Sequence, residues 1–143
     1  MNWERLEKKH YRKEPVEHIY TSSIFDMKEY DRLYENQNNL SHQVWQEFNK
    51  KYHVDITFLE DIRDIQLNKD VICLWFFKDR NDKSVGKNIK LADTTIRYYP
   101  NTFLVTESKD IIILEKDNQY IRRPVLQIDL NKQKFNEIIT RFK

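Results

Sequence analysis

Val71-Ile72-Cys73-Leu74-Trp75-Phe76-Phe77 is the longest apolar run in this chain of 143 residues. It shows no alternation of polar and apolar positions. A strand with water on one face would alternate, so the run predicts a central strand covered on both sides. It is also far short of the ~18–20 residues that a membrane span requires. Cys73, the only cysteine, lies inside the run and cannot form an internal disulfide. It reads as a small core residue.

Downstream of this run the strand period continues. Ile111-Ile112-Ile113-Leu114 predicts a second strand covered on both faces. Shorter candidates lie between the two, at Asn88–Leu91, Thr95–Tyr99 and Thr102–Thr106. Turn residues punctuate them at Asn81-Asp82, Gly86, Pro100-Asn101, Lys109-Asp110 and Asp117-Asn118. The last strand spans Tyr120–Leu130 with Leu126, Ile128 and Leu130 alternating, and Pro124 predicts an edge position or a bulge for it. The connections are short, so neighbours should be antiparallel, because parallel pairs need a crossover of a dozen or more residues. Asn131 then caps a final helix whose apolar stripe is Phe135, Ile138, Ile139 and Phe142.

Upstream, to about Leu67, apolar residues recur at helical spacing. Trp3, Leu6 and His10 predict a short first helix ended by Pro15. Ser23-Ile24-Phe25-Asp26 matches a capping box before the stripe Met27, Tyr30, Leu33 and Tyr34. Ser41 is the expected N-cap of a helix burying Val44, Trp45, Phe48 and Tyr52, with Leu40 as a hydrophobic staple. Thr57-Phe58-Leu59-Glu60 reads as another capping box, with Leu59, Ile62 and Ile65 following at threes.

The fold class predicted is α+β within one domain, residues 1–143. N-terminal helices (1–67) precede an antiparallel β-meander of five or six strands, which a C-terminal amphipathic helix closes (68–143). The element order resembles that of pleckstrin-homology-like barrels. The resemblance is one of order alone and implies no function.

Composition excludes more than it indicates. The chain has one glycine, Gly86, and one alanine, Ala92, where an average chain is about 7% glycine. Gly-rich phosphate loops, dinucleotide fingerprints and nucleophile elbows each need two or more glycines at fixed spacing. Asn, Ile, Lys and Tyr, all with AT-rich codons, supply 51 residues, which suits an AT-rich bacterial, phage or viral genome. The 25 Lys and Arg nearly balance the 23 Asp and Glu, and the signs are interspersed as on a soluble surface. The first residues lack an apolar stretch of the secretory type. A soluble cytoplasmic protein with no membrane association is expected.

Candidates for chemistry are sparse. His10, His18, His42 and His53 lack metal-ligand spacing; His42 and His53 share a helical face but would lie about 16 Å apart at 1.5 Å per residue. Glu60, Asp61 and Asp64, with Asp55 before them, read as a solvated helix start beside Arg63. Ser22, Ser23, Ser41, Ser84 and Ser108 sit where caps and turns want serine. No cofactor, metal site or catalytic residue is expected. The basic side chains carry more weight, since residues 71–143 hold 14 Lys and Arg against nine acids. Lys78, Arg80, Lys83, Lys87 and Lys90 surround the glycine in what reads as a cationic loop. Arg97 and Tyr99 share one strand face, opposite Ile96 and Tyr98, and Arg122-Arg123 lie on the last strand.

These nine residues form the candidate binding set. The expectation is a non-enzymatic binding protein acting through a protein partner, as a regulator, inhibitor or immunity-type protein of a phage or mobile element. Nineteen aromatics supply it, because Tyr and Trp are enriched at binding hot spots; Tyr11, Tyr20, Tyr34, Tyr98 and Tyr99 are expected to be partly exposed. A nucleic-acid-binding domain using the basic sheet half is the alternative, and a small hydrolase a second one.

Overall fold

A computed structural model of the chain describes residues 6–22, 25–53, 55–79, 81, 85–114 and 123–143. Trp3, Ser23, the Asp117-Asn118 turn and the segment from Tyr120 to Arg122 lie outside the described residues, as do Arg80 and Lys83.

After a single 3-10 turn at Lys8–His10, the chain forms β1 (Tyr11–Arg12) and β2 (His18–Thr21). The expected first helix is therefore a hairpin at its described end, with Pro15 inside the connection. Two helices follow, α1 (Met27–Glu35) and α2 (Gln43–Tyr52), on the stripes expected for them. Their caps lie further along the chain than the capping signals. The Asp26 carboxylate accepts from the Lys28 N–H, and His42, not Ser41, accepts from the Val44 N–H at 3.1 Å. The expected helix after Thr57 is instead β3 (Ile56–Leu59) and a 3-10 turn at Ile62–Asp64. Ile56 and Phe58 serve one core and Leu59 another, a two-sided demand that a strand meets.

Then come β4 (Val71–Phe76), β5 (Gly86–Leu91), β6 (Thr94–Tyr98), β7 (Phe103–Glu107), β8 (Ile111–Ile113), β9 (Val125–Ile128) and α3 (Lys132–Thr140). They do not form a meander or a barrel. Six strands make one sheet in the order β1-β2-β7-β4-β9-β3, antiparallel throughout. β6, β5 and β8 make a second sheet. The larger sheet takes β1, β2 and β3 from the segment where helices alone were expected. β9 sits between β4 and β3 rather than at an edge. Pro124 is tolerated because it precedes the strand, where its missing N–H costs no ladder bond and its carbonyl accepts from Phe77 at 3.0 Å. β8 is an edge strand of three residues with Ile112 47% exposed, not a second central one.

The strand that decides the fold lies between β7 and β9, all six of its residues buried. Val71, Cys73, Trp75 and Phe77 join α1, α2 and α3 in one core, while Ile72, Leu74 and Phe76 face Ile89, Leu91, Ile96, Tyr98 and Ile111 of the small sheet in another. The layers are thus helices, large sheet, small sheet. Burial pushes the Cys73 thiol up, so it stays a protonated core group.

One polar device sits in the helix-side core. Pro100 and Asn101 occupy the middle of a turn closed by the Thr102 N–H on the Tyr99 carbonyl, with Asn101 at φ 71°, as in a type II turn. The buried Asn101 side chain accepts from the Trp75 indole at 2.7 Å and donates to the Phe25 carbonyl at 3.0 Å.

Candidate binding surface

Strand alternation sorts the small sheet into two faces. Ile89, Leu91, Ile96, Tyr98 and Ile111 point into the core. The register lines up Thr95, Lys90 and Ile112 as one row across the opposite face. Arg97 and Tyr99 follow Thr95 at two-residue steps, both exposed, Tyr99 at 39%. Lys87 is exposed at the start of β5. Lys87, Lys90 and Arg97 form no ion pair among the described residues. Three cations, an aromatic ring and an aliphatic side chain therefore share the outer face of this sheet.

The structure distributes the other candidates differently. Lys78 is 6% exposed; its ammonium lies 5.8 Å from the centre of the Tyr98 ring, and its carbonyl accepts from the Tyr30 hydroxyl. Arg123 pairs with Asp61 at 3.3 Å, both side chains largely covered. Burial works to raise the Asp61 carboxyl, but the Arg63 N–H and guanidinium, with Arg123, hold it below the usual carboxylate range. Asp61 thus clamps the 3-10 turn to the start of β9, and the acidic patch is a structural joint there.

Lys87 and Lys90 belong to β5 rather than to a loop. Gly86 does not serve a strained turn, since its φ is not positive. It pairs across the strands with Tyr98, whose ring atoms lie 2.0–2.4 Å from where a Cβ would stand. That is an aromatic laid over a glycine in a sheet. The ring continues onto Phe76, stacked at 4.3 Å, and its hydroxyl donates to Asn88 at 2.7 Å. Tyr98 is accordingly 1% exposed, against the expectation of partial exposure, and burial pushes its hydroxyl up to about 12. Tyr11, Tyr20 and Tyr34 are half-buried.

Two cavities border this region and the far side of the large sheet. A groove of about 260 Å³ runs between the β1–β2 hairpin and β6, with Arg12, His18 and Tyr20 on one wall and Thr95 and Arg97 on the other. The Tyr20 hydroxyl donates to the Arg97 carbonyl at 2.6 Å across it. Burial holds His18 below the ordinary imidazole value, even though its Nδ1 bonds the Val16 carbonyl at 2.7 Å, so its ring is neutral at pH 7. Sequence reasoning missed this wall. The signal was His18-Ile19-Tyr20-Thr21, a short run of β-formers just after Pro15. The second cavity, about 180 Å³, contains Gln66, Lys69, Gln127 and Asp129. Four of its polar residues are engaged in pairs: Gln127 bonds both backbone groups of Gln66, and Lys69 pairs with Asp129 at 2.6 Å.

No protein family, curated protein or solved structure matches the chain. Among the described residues no group of three His, Cys, Asp or Glu side chains could hold a metal ion, and no helix is long and apolar enough to cross a membrane.

Proposed function

We propose that this chain is a non-enzymatic, cytoplasmic binding module whose outer small-sheet face docks an acidic protein partner, as a regulator, inhibitor or immunity-type protein would. The observation that carries the reading is that Lys87, Lys90 and Arg97, which form no ion pair among the described residues, share one face with Tyr99 and Ile112. Such cations favour an anionic partner and steer its approach. Tyr99 and Ile112, at opposite edges of the sheet, supply the apolar contact that hot spots use. The face is mixed rather than uniformly basic, since Thr95 and Ile112 flank Lys90 in the central row. A phosphate backbone would be better served by a continuous positive stripe.

The test is capture from lysate by the intact chain and by a Lys87→Glu/Lys90→Glu variant, each with and without nuclease. Lys87 is exposed and Lys90 half-buried on the outer face, so stability should move by about 0.5 kcal/mol per site. A nuclease-resistant partner that the variant no longer retains, and whose on-rate falls with salt, is the expected result. Release by nuclease would transfer the face to nucleic acid, for which exposed Tyr99 beside Arg97 would be the stacking element. Equal capture by the variant would remove the face as a docking surface.

A further inference from the structure

The small sheet has an open edge as well as an open face. Leu114 donates to the Asn88 carbonyl at 2.7 Å and Ala92 to the Asp110 carbonyl at 3.0 Å. These two bonds fix the parity of β5: Asn88, Lys90 and Ala92 bond toward β8, and Ile89 and Leu91 toward β6. The backbone groups of their partners Ile96 and Thr94 point toward β5. The backbone groups of Thr95 and Arg97 therefore point away from the sheet, at its open edge. The bond from Tyr20 to the Arg97 carbonyl is an independent sign of that orientation.

The Thr95 N–H and C=O and the Arg97 N–H have no partner among the described residues. Of the four strands that end the two sheets, β6 is the longest, with five residues. Natural edges are usually guarded by proline, a bulge or a very short strand. Thr94-Thr95-Ile96-Arg97-Tyr98 has none of these and is rich in β-formers; its guards are one charge, Arg97, and the Tyr20 hydroxyl at one end, which leave Thr95 open.

We infer that the edge of β6 takes up an extended acidic segment of the protein partner as an added antiparallel or parallel strand, an inference that rests on the docking function proposed above. The groove lies along this edge. Its volume is below the ~300–1,000 Å³ typical of small-molecule pockets. Main-chain bonds to Thr95 and Arg97 would give affinity, as in other strand-addition complexes. Charge selects the occupant. Arg12 and Arg97 face the groove with neither in an ion pair among the described residues, His18 is neutral, and Glu14 is the one carboxylate on the lining. Arg12 is held in place by donating to the Lys9 and Tyr11 carbonyls. The Tyr20 hydroxyl, already on the Arg97 carbonyl, marks where the added strand ends.

The experiment pans a displayed random decapeptide library on the full chain and measures one recovered peptide against variants. Thr95→Pro removes only an outward N–H, a substitution edge strands tolerate; Thr95→Ala keeps the N–H and changes the side chain. Recovered sequences should alternate Asp or Glu with β-formers. Thr95→Pro should weaken the peptide about tenfold, the size of one lost hydrogen bond, and Thr95→Ala by less than about twofold. Arg97→Glu, which leaves the backbone intact, should weaken it as well and keeps the test informative if Thr95→Pro fails to fold.

Recovery of no peptide, recovery of basic sequences, or equal binding to Thr95→Pro would each overturn the inference. So would displacement of the peptide by a single-stranded oligonucleotide, or a dimer in sedimentation that Thr95→Pro dissolves, since the edge would then belong to nucleic acid or to a second copy. The two readings separate cleanly. Capture from lysate that Lys87→Glu/Lys90→Glu abolishes and Thr95→Pro leaves intact retains the docking face and rejects the strand addition. Peptide binding that depends on Thr95, with lysate capture indifferent to Lys87 and Lys90, rejects the docking face instead.

Discussion

On the helix side of the large sheet, Phe25, Tyr30, Trp45, Phe48, Tyr52, Trp75 and Phe77 form a continuous set of ring contacts, with centroids 4.5–6.1 Å apart. On the other side, the contact between the two sheets is built from Ile, Leu and Val, and its buried rings are the single stack of Phe76 on Tyr98. The difference follows from what each layer can bring close. Sheets pack face to face at about 10 Å with alternating side chains interdigitating, and branched aliphatics fill that space. A helix approaches a sheet closely only where its facing residues are small. α1 and α2 contain neither alanine nor glycine, and the space between them and the sheet is filled mostly by rings, which bury large areas with few rotatable bonds. The residue shortage that excludes phosphate loops thus also shapes the core.

Removing the ring at the centre of the sheet-on-sheet contact should have the largest effect. Phe76→Ala should cost about 3–5 kcal/mol, through lost transfer energy and the cavity left behind. It should also free the Tyr98 ring, so Tyr98 fluorescence or hydrogen exchange along β5 and β6 should change with it. A loss below about 1 kcal/mol in denaturant melts would mean that the small sheet does not depend on that stack.

The helix-side core has its own weak point in Asn101. Asn101→Ala leaves the buried Trp75 N–H and Phe25 carbonyl without these partners and places a Cβ residue at φ 71° without the amide, for about 2–4 kcal/mol. Asn101→Gly loses the same bonds but relieves the left-handed backbone, so it should be milder by about 1 kcal/mol. Equal melts for the two variants would show that the amide alone matters.

How much of this was legible varies with the range of the interaction that decides each element. β4, α1, α2 and α3 are set by local period, and the apolar run and the stripes identify them. β1, β2 and β3 are two to four residues long, too short for a period to emerge; β1 pairs only with its hairpin neighbour β2, and β2 and β3 are held by partners far along the chain, β7 and β9. Thr57 to Glu60 has the letters of a capping box, and only the demand to bury Phe58 and Leu59 on opposite faces makes it a strand. For the candidate surface, alternation placed Arg97 and Tyr99 together, opposite Ile96 and Tyr98. It could not show that Lys78 is covered by Tyr98 or that Arg123 meets Asp61, because both depend on tertiary neighbours.

Gly86 sharpens the contrast between the two sheets, because it makes room for the one aromatic stack between them. A Gly86→Ala Cβ would stand 2.0–2.4 Å from three Tyr98 ring atoms. That ring is held by Phe76 beneath it and by Asn88 at its hydroxyl, so it cannot swing away without losing both. The expected cost is about 1–3 kcal/mol, as for other overpacked sites. A Gly86→Ala/Tyr98→Leu double variant should recover part of it, and strict additivity of the two changes would show that the ring and the glycine are uncoupled.

Ala92 is the converse case, a position where a glycine belongs and none is present. It follows the Leu91–Thr94 pair into a two-residue hairpin between β5 and β6, at φ 52°, and its N–H bonds the Asp110 carbonyl at 3.0 Å. Two-residue hairpins require positive φ at their first central residue, which glycine adopts without strain. An alanine there costs about 1–2 kcal/mol of left-handed strain, whereas a glycine costs about 0.4–1 kcal/mol through the freer unfolded chain. Strain is the larger of the two, so Ala92→Gly should stabilise the protein by about 0.5–1 kcal/mol, read as a higher denaturant midpoint at unchanged slope. The gain should be confined to the small sheet, appearing as slower hydrogen exchange at β5 and β6 and not at β4 or β7. A lower midpoint would show that the hairpin accommodates alanine without strain, and that the small sheet's stability rests on its buried face alone.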